Sequence, residues 1–431
     1  MVTSTTTTRP TRIGAVRTVI QGVKWSSAAR YTPNFLQGAE FLAERLNNTL
    51  KMLQSRETRG YYFKELFMNI DEIFTFEYLY DSMWKCKRGK MRKASVARFV
   101  INGIDSTLEL EEELQNNVYL PRKPRTFKLT YPKPRNCSSM HIRDRVVQRD
   151  MNDNVIYPEM VRSFIYDNMA CQIGKGTTRM MDRLNQLLHR YYINNGSNAG
   201  WVLQCDIKGY YENMDHDVAD ICFRRRLGDA VADICKEWMD RQYPGDKGYA
   251  PGSQMIQILG ISFLNGVDHH AKERLLAGTY CRYMDDFLII SSDRDFLEYC
   301  REEIEKKLAE VKLWLHPKKT RIYPLQKGIK FLGFTFKLTV TGKVIRLIDP
   351  DNVKHERKRL YKMAQMVKSG ERTIEKFYQC YNSWKAHARL GNTHRLLQRM
   401  DAYIKTLLTE DNIYEDHSSC WNDSGTAESG Q

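Results

Sequence analysis

The sequence contains no run of about 18 apolar residues, the length a membrane-spanning helix needs, so no span is expected. Its opening, Met1 to Pro10, is Thr-rich and has no apolar stretch of the kind a secretory signal carries. Ten cysteines are scattered over 431 residues with no CxxC pair and no Cys/His cluster at zinc spacing. This argues against a zinc-built fold and, with no secretion signal, for a reduced, cytoplasmic protein. No internal repeat is found. The final 21 residues, 411–431, carry five acids and no Lys or Arg, which reads as an acidic disordered tail. Residues 1–12 have no apolar period and read as a disordered N-terminus.

What is abundant is positive charge. The net charge is +15, with 42% hydrophobic and 28% charged residues. That composition is globular, and the length allows two to four compact units. The basic residues cluster. Residues 121–149 hold nine Lys/Arg against one acid, and residues 351–410 hold thirteen against six. Clustered cations release counterions from a phosphate backbone, so a nucleic-acid partner is expected.

Apolar spacing predicts a helix over 33–57, within a helical N-terminal extension spanning 13–70, and a helical block over about 74–120 broken by the basic Lys85–Lys93 segment. Pro121, Pro124, Pro132 and Pro134 then impose extended chain. Helices are predicted for 144–151 and 177–192, a buried strand for 201–206, and helices for 215–227, 230–238, 256–276 and 296–313. A hairpin is predicted for 281–291, a single strand with Gly333 inside it for 329–336, and helices from about 353 to 408. His216, His269 and His270 read as cap or structural histidines, and Cys205 and Cys281 as small core-facing residues.

Asp285 and Asp286 sit between the apolar runs of Cys281-Arg282-Tyr283-Met284 and Phe287-Leu288-Ile289-Ile290. An isolated Asp-Asp pair is usually a solvated turn. Here a third acid, Asp206, ends the apolar run Val202-Leu203-Gln204-Cys205, where a buried carboxylate needs a cation. Asp206, the Gly/Gln-rich segment Pro251-Gly252-Ser253-Gln254-Met255-Ile256-Gln257 and then Asp285-Asp286 make a compact unit of about 80 residues. Carboxylates converging from two strands suit a two-metal phosphoryl-transfer site.

The ordered motifs resemble those of bacterial reverse transcriptases from about Phe74 to Leu408. They are Pro132-Lys133-Pro134-Arg135, Arg143-Asp144-Arg145-Val146-Val147-Gln148-Arg149, Gly174-Lys175-Gly176-Thr177, Asp206-Ile207-Lys208-Gly209-Tyr210-Tyr211, Tyr283-Met284-Asp285-Asp286, Leu315-His316-Pro317-Lys318-Lys319-Thr320 and Phe331-Leu332-Gly333-Phe334. The resemblance implies an α+β right-handed fingers–palm–thumb polymerase with an antiparallel-sheet palm and a helical thumb. Fingers are expected over 71–200, palm over 201–325 and thumb over 326–410. It implies RNA-directed DNA polymerase chemistry with two Mg²⁺ ions, for which Mn²⁺ can substitute.

Position by position, the resemblance makes Asp206 and Asp285 the metal ligands, with the Ile207 carbonyl assisting and Asp286 as the supporting acid. Lys133 and Arg135 grip the incoming triphosphate. Tyr211 excludes a 2′-hydroxyl, and Gln257 lines the nucleotide site. Arg143, Arg145, Lys175, Lys319, Gly333 and Lys385 face nucleic acid, Lys175 in a template loop that lacks Walker spacing and Gly333 in a primer grip. The implied partners are an RNA template, a DNA or RNA primer with its cDNA product, dNTPs, and an accessory protein or a second copy of the chain.

Gly174–Thr177, Pro132–Arg135 and Trp384–Asn392 resemble the diversity-generating retroelement and antiviral-defence groups most. The segment Gly248–Gln254 is shorter than the diversity-generating pattern, and Ile256 stands where a serine is expected. The expectation is therefore a defence enzyme copying a partner non-coding RNA. A diversity-generating enzyme and an RNA-binding, maturase-like module are the alternatives. No room is seen after the thumb for an RNase H or DNA-endonuclease domain.

Overall fold

The computed structural model describes residues 73–130 and 135–409, with Arg135 described in its backbone only. The sequence expectations for 1–12, 13–70, Lys133 and the tail 411–431 lie outside the described residues. All described residues belong to one compact unit, Met68–Gln431. Among them no helix is long and apolar enough to cross a membrane.

The architecture is α+β, as expected. Helices α1 (Phe76–Cys86), α2 (Ala94–Ile101) and α3 (Gly103–Gln115) lead into hairpin β1 (Arg125–Leu129) and β2 (Arg135–Ser139), then α4 (Ile142–Met151). A π-helical turn, Asn152–Ile156, joins α4 to α5 (Tyr157–Val161). Next come α6 (Thr177–Asn195), β3 (Trp201–Cys205), α7 (His216–Leu227), α8 (Asp229–Gln242), α9 (Gln254–Phe263) and α10 (Asn265–His269). Strands β4 (Cys281–Tyr283) and β5 (Asp286–Ser291), helix α11 (Arg294–Glu310) and β6 (Arg321–Pro324) complete the middle of the chain. The last part holds β7 (Ile329–Phe331), β8 (Phe334–Leu338) and β9 (Val344–Ile348), then α12 (Pro350–Lys368), α13 (Ile374–Ala388) and α14 (His394–Thr409).

Local chemistry sets these boundaries. The side chains of Asp215, Ser253, Asp293 and Asp349 each accept a backbone N–H at the start of α7, α9, α11 and α12. Pro350 occupies the first turn of α12, where no N–H is needed. Gly196, at φ 64°, ends α6 in the left-handed conformation.

The central sheet is antiparallel with strand order β4–β5–β3–β6. It is buried on both faces, which explains its unbroken apolar runs. Leu203, Cys205, Phe287 and Ile289 point into one core with α4 and α7–α11. Val202, Cys281, Leu288 and Ile290 point into a second core with α6, the β7–β8–β9 sheet and α12–α14. Two faces at period two thus join the two cores through one sheet.

One expectation is corrected. Residues 329–336 are not one strand but a hairpin, β7–β8, in which Phe331 pairs with Phe334. Leu332 (φ 50°) and Gly333 (φ 83°) both adopt positive φ, as a two-residue hairpin turn with the right twist requires. The Gly read as a strand interior is the turn itself. Strand β9 was not foreseen: Val344-Ile345-Arg346-Leu347-Ile348 pairs with β8 where only a connection to the thumb helices was read.

Candidate active site

Asp206 follows β3 directly, and Asp286 opens β5. The antiparallel register ends with Cys205 facing Phe287, which leaves Asp206 and Asp286 as the next residues on the two chains. Tyr283 pairs with Asp286 and closes the two-residue turn Met284-Asp285. The three acids therefore collect at one end of the central sheet, on backbone that both cores hold.

A second strand-like segment clamps the Asp206 side. Ile207 bridges Leu315, the Lys208 N–H donates to the Trp314 carbonyl (3.2 Å) and the His316 N–H donates to the Asp206 carbonyl (2.7 Å). This delivers Lys319, whose Nζ lies 2.9 Å and 3.0 Å from the two Asp206 carboxylate oxygens. The donors gathered at this end are carboxylate and carbonyl oxygens, the set that hard divalent cations take. A cation, the Lys319 ammonium, already rests on one of them. Among the described residues no group of three His, Cys, Asp or Glu stands together as a ready metal cage.

Tyr211 is brought to the same place. Its hydroxyl pKa is raised by burial first, then by the Cys171 thiol and the Asp285 carboxylate. Its ring lies against α9: a Cβ on Gly260 would come within 2.9 Å of the Tyr211 hydroxyl. The neighbouring Tyr210 hydroxyl donates to the Gly260 carbonyl. Cys171 Sγ reaches Met284 Sδ at 3.7 Å, so the loop before α6 touches the Met284-Asp285 turn. Gln257 is exposed on α9, one turn before Gly260.

The other expected contact residues are distributed differently. Arg135 heads β2, its backbone paired with Leu129. Arg143 is spent inside the protein: it pairs with Glu113 and Asp144 and lies 4.7 Å over the Tyr119 ring. Lys175 donates to the Tyr166 (3.0 Å) and Asn168 (2.8 Å) carbonyls, which anchors the glycine loop; burial lowers its pKa. Lys385 holds Asp401 at 2.6 Å and 2.7 Å. Gly333 sits in the β7–β8 turn beside His387. Arg145 lines a cleft of about 300 Å³ with Lys85, Lys90, Lys93 and Arg149, bordered by Gly252–Gln254 at the start of α9. His216 stacks on Tyr249 at 4.4 Å, and His269 bridges the Ser163 carbonyl and Glu273.

Sequence reasoning missed Arg282. It is fully buried with Asp268, and its Nη1 donates to the Met284 carbonyl in the Met284-Asp285 turn. The available signal was an arginine inside an apolar strand, which cannot be buried without an acid to meet it.

The Reverse transcriptase (RNA-dependent DNA polymerase) family model matches residues 122–336. Protein YkfC of Escherichia coli (strain K12) is 24% identical over 269 residues, covering 52% of this chain and 69% of that protein. Two telomerase structures are also similar. That of Candida tropicalis truncated from its C-terminal domain has a TM-score of 0.40 at 10% identity, over 52% of this chain and 55% of that one. That of Candida albicans with a fragment of telomeric RNA has a TM-score of 0.41 at 12% identity, over 68% and 56%. The chain spans about half the length of these telomerase chains. Residues 122–336 form a reverse transcriptase domain, an enzyme domain of the RNA-dependent DNA polymerase kind.

Proposed function

We propose that the whole chain is a working RNA-directed DNA polymerase that extends a 3′-hydroxyl on an RNA template, and that its template is a partner non-coding RNA in bacterial antiviral defence. The observation that supports the reading is the register of β3 and β5, which ends at Cys205 and Phe287 with Asp206 and Asp286 next along the two chains, together with the electrostatic effect of Asp285 on Tyr211. The defence role is supported by the short Gly248–Gln254 segment and by Ile256. On this reading the fingers comprise 71–200, the palm 201–325 and the thumb 326–410.

Two Mg²⁺ ions, when bound by Asp206, Asp285 and the Ile207 carbonyl, supply the positive charge that lowers the pKa of the primer hydroxyl and offsets the charge of the leaving pyrophosphate. Everything else falls to the chain. Asp286 begins a ladder-bonded strand and keeps the turn in place. Lys319, which rests on Asp206, would yield that carboxylate to a bound metal, and its ammonium would then neutralise a phosphate. Lys133 and Arg135 hold the triphosphate. Tyr211, backed by Gly260, fills the space a 2′-hydroxyl would take, and Gln257 faces the nucleotide from the same helix.

The test is to purify the chain from bacterial cells and sequence the nucleic acid that accompanies it, beside an Asp285→Ala, Asp286→Ala variant. One enriched RNA, with complementary DNA only in the wild type, is the expected result. Equal RNA with both and DNA with neither would replace this reading with that of an RNA-binding module. Systematic miscopying at template adenines would replace the defence role with diversity generation.

A further inference from the structure

Arg282 sits on β4 with its guanidinium fully buried. Its Nε and Nη2 donate to the two oxygens of the equally buried Asp268, at 2.6 Å and 2.5 Å. The Tyr280 hydroxyl donates to the same carboxylate at 2.6 Å, and Asn168 Nδ2 at 3.4 Å. Apolar packing could replace such a pair with little loss of stability, so stability alone does not account for it. What apolar packing could not replace are two further bonds. Nη1 donates to the Met284 carbonyl at 2.8 Å, and Nη2 donates to the Ile261 carbonyl at 2.9 Å.

Those two carbonyls bracket the site. Met284 is the turn residue immediately before Asp285 and has a φ of 58°, a conformation L-residues adopt at a cost. Ile261 follows Gly260, on which the Tyr211 ring and the Tyr210 hydroxyl rest. One rigid, planar group therefore ties the turn that presents Asp285 to the helix that backs Tyr211. The backbone of Arg282 is fixed as well: its N–H donates to the Asp167 carbonyl and its carbonyl accepts from Met169.

We propose that Arg282, oriented by Asp268, is a positioning residue that sets the Asp285 turn and the Tyr211 floor at one fixed separation. This rests on the reading of Asp285 as a metal ligand. A lysine keeps the charge but has no fork, so it cannot hold a bidentate acid and two divergent carbonyls together.

The experiment measures Mn²⁺ binding to the full chain by electron paramagnetic resonance, together with the deoxy- to ribonucleotide preference. It compares wild type, Arg282→Lys, Asp268→Asn and Asp285→Ala. Tyr191→Phe serves as control, since Tyr191 belongs to the other core and the change removes its hydrogen bond to the Ala199 carbonyl. Arg282→Lys should weaken Mn²⁺ binding about 10- to 100-fold, as loss of a group that orients a metal ligand does, and should narrow the sugar preference. The control should leave both unchanged. If Arg282→Lys fails to fold, Asp268→Asn carries the test, because its amide still offers the guanidinium one oxygen. Wild-type Mn²⁺ binding in both variants, with binding lost in Asp285→Ala, would overturn the positioning role and spare the metal reading. Wild-type binding in Asp285→Ala would overturn both.

Discussion

Asp150 should make this protein less stable as pH rises. It is fully buried on α4. Ser82 Oγ (3.3 Å) and Asn154 Nδ2 (2.7 Å) both donate to Oδ1, and Oδ2 is buried without a partner. Burial pushes its pKa up to about 8, against about 3.9 in an unfolded chain. The folded state therefore holds a proton that the unfolded state releases. The associated stability is complete below about pH 4 and is lost as pH rises to about 8, at about 1.4 kcal/mol per pH unit. Across the window this comes to roughly 6 kcal/mol, a large share of the 5–15 kcal/mol that holds a domain together. Asp150→Asn is neutral throughout and keeps an oxygen for both donors. Urea unfolding of the two proteins at pH 5, 6, 7 and 8 isolates the effect, because every other group titrates in both. The variant should gain on the wild type by about 1.4 kcal/mol with each pH unit. A difference that stays flat from pH 5 to pH 8 would refute the argument, and would mean that water or a nearby cation keeps Asp150 charged.

Tyr211→Ala should admit ribonucleotides, and Gly260→Ala should disturb the same preference from behind, since its new Cβ would press on the Tyr211 ring; competition of dNTP and rNTP in primer extension measures both, and unchanged selectivity in Tyr211→Ala removes the tyrosine from the sugar gate. Lys319→Ala should lower the Mg²⁺ concentration for half-maximal extension, because the ammonium and a metal compete for the same Asp206 oxygens; an unchanged requirement means that Lys319 leaves that carboxylate without cost.

The acids were legible in the sequence because they break a pattern. Asp206, Asp285 and Asp286 each interrupt or end an apolar run, and such an acid has few reasons to be there other than a cation. The strands themselves were legible from the same runs, and their burial on both faces is why no alternation marked them. The β7–β8 turn was not legible: Leu332 is a poor turn residue, and its positive φ comes from pairing Phe331 with Phe334, a tertiary demand on a local sequence that reads as strand. The basic residues were the least legible. Lys90, Arg143, Lys175 and Lys385 look alike as charges in a sequence. In the structure Arg143, Lys175 and Lys385 are tied to Glu113, to loop carbonyls and to Asp401, whereas Lys90 lines an open cleft.

Composition alone could not make that distinction, because a cation's role depends on the acids and carbonyls that folding brings to it. The same logic explains Arg282. Its partner Asp268 is fourteen residues upstream on another element, and its other bonds go to backbone carbonyls, which carry no sequence signature. A carboxylate within an apolar run is conspicuous because it is chemically out of place. A residue that positions one is hidden because its burial satisfies it, and only the direction of its hydrogen bonds, toward the Met284 and Ile261 carbonyls, shows what it holds in place.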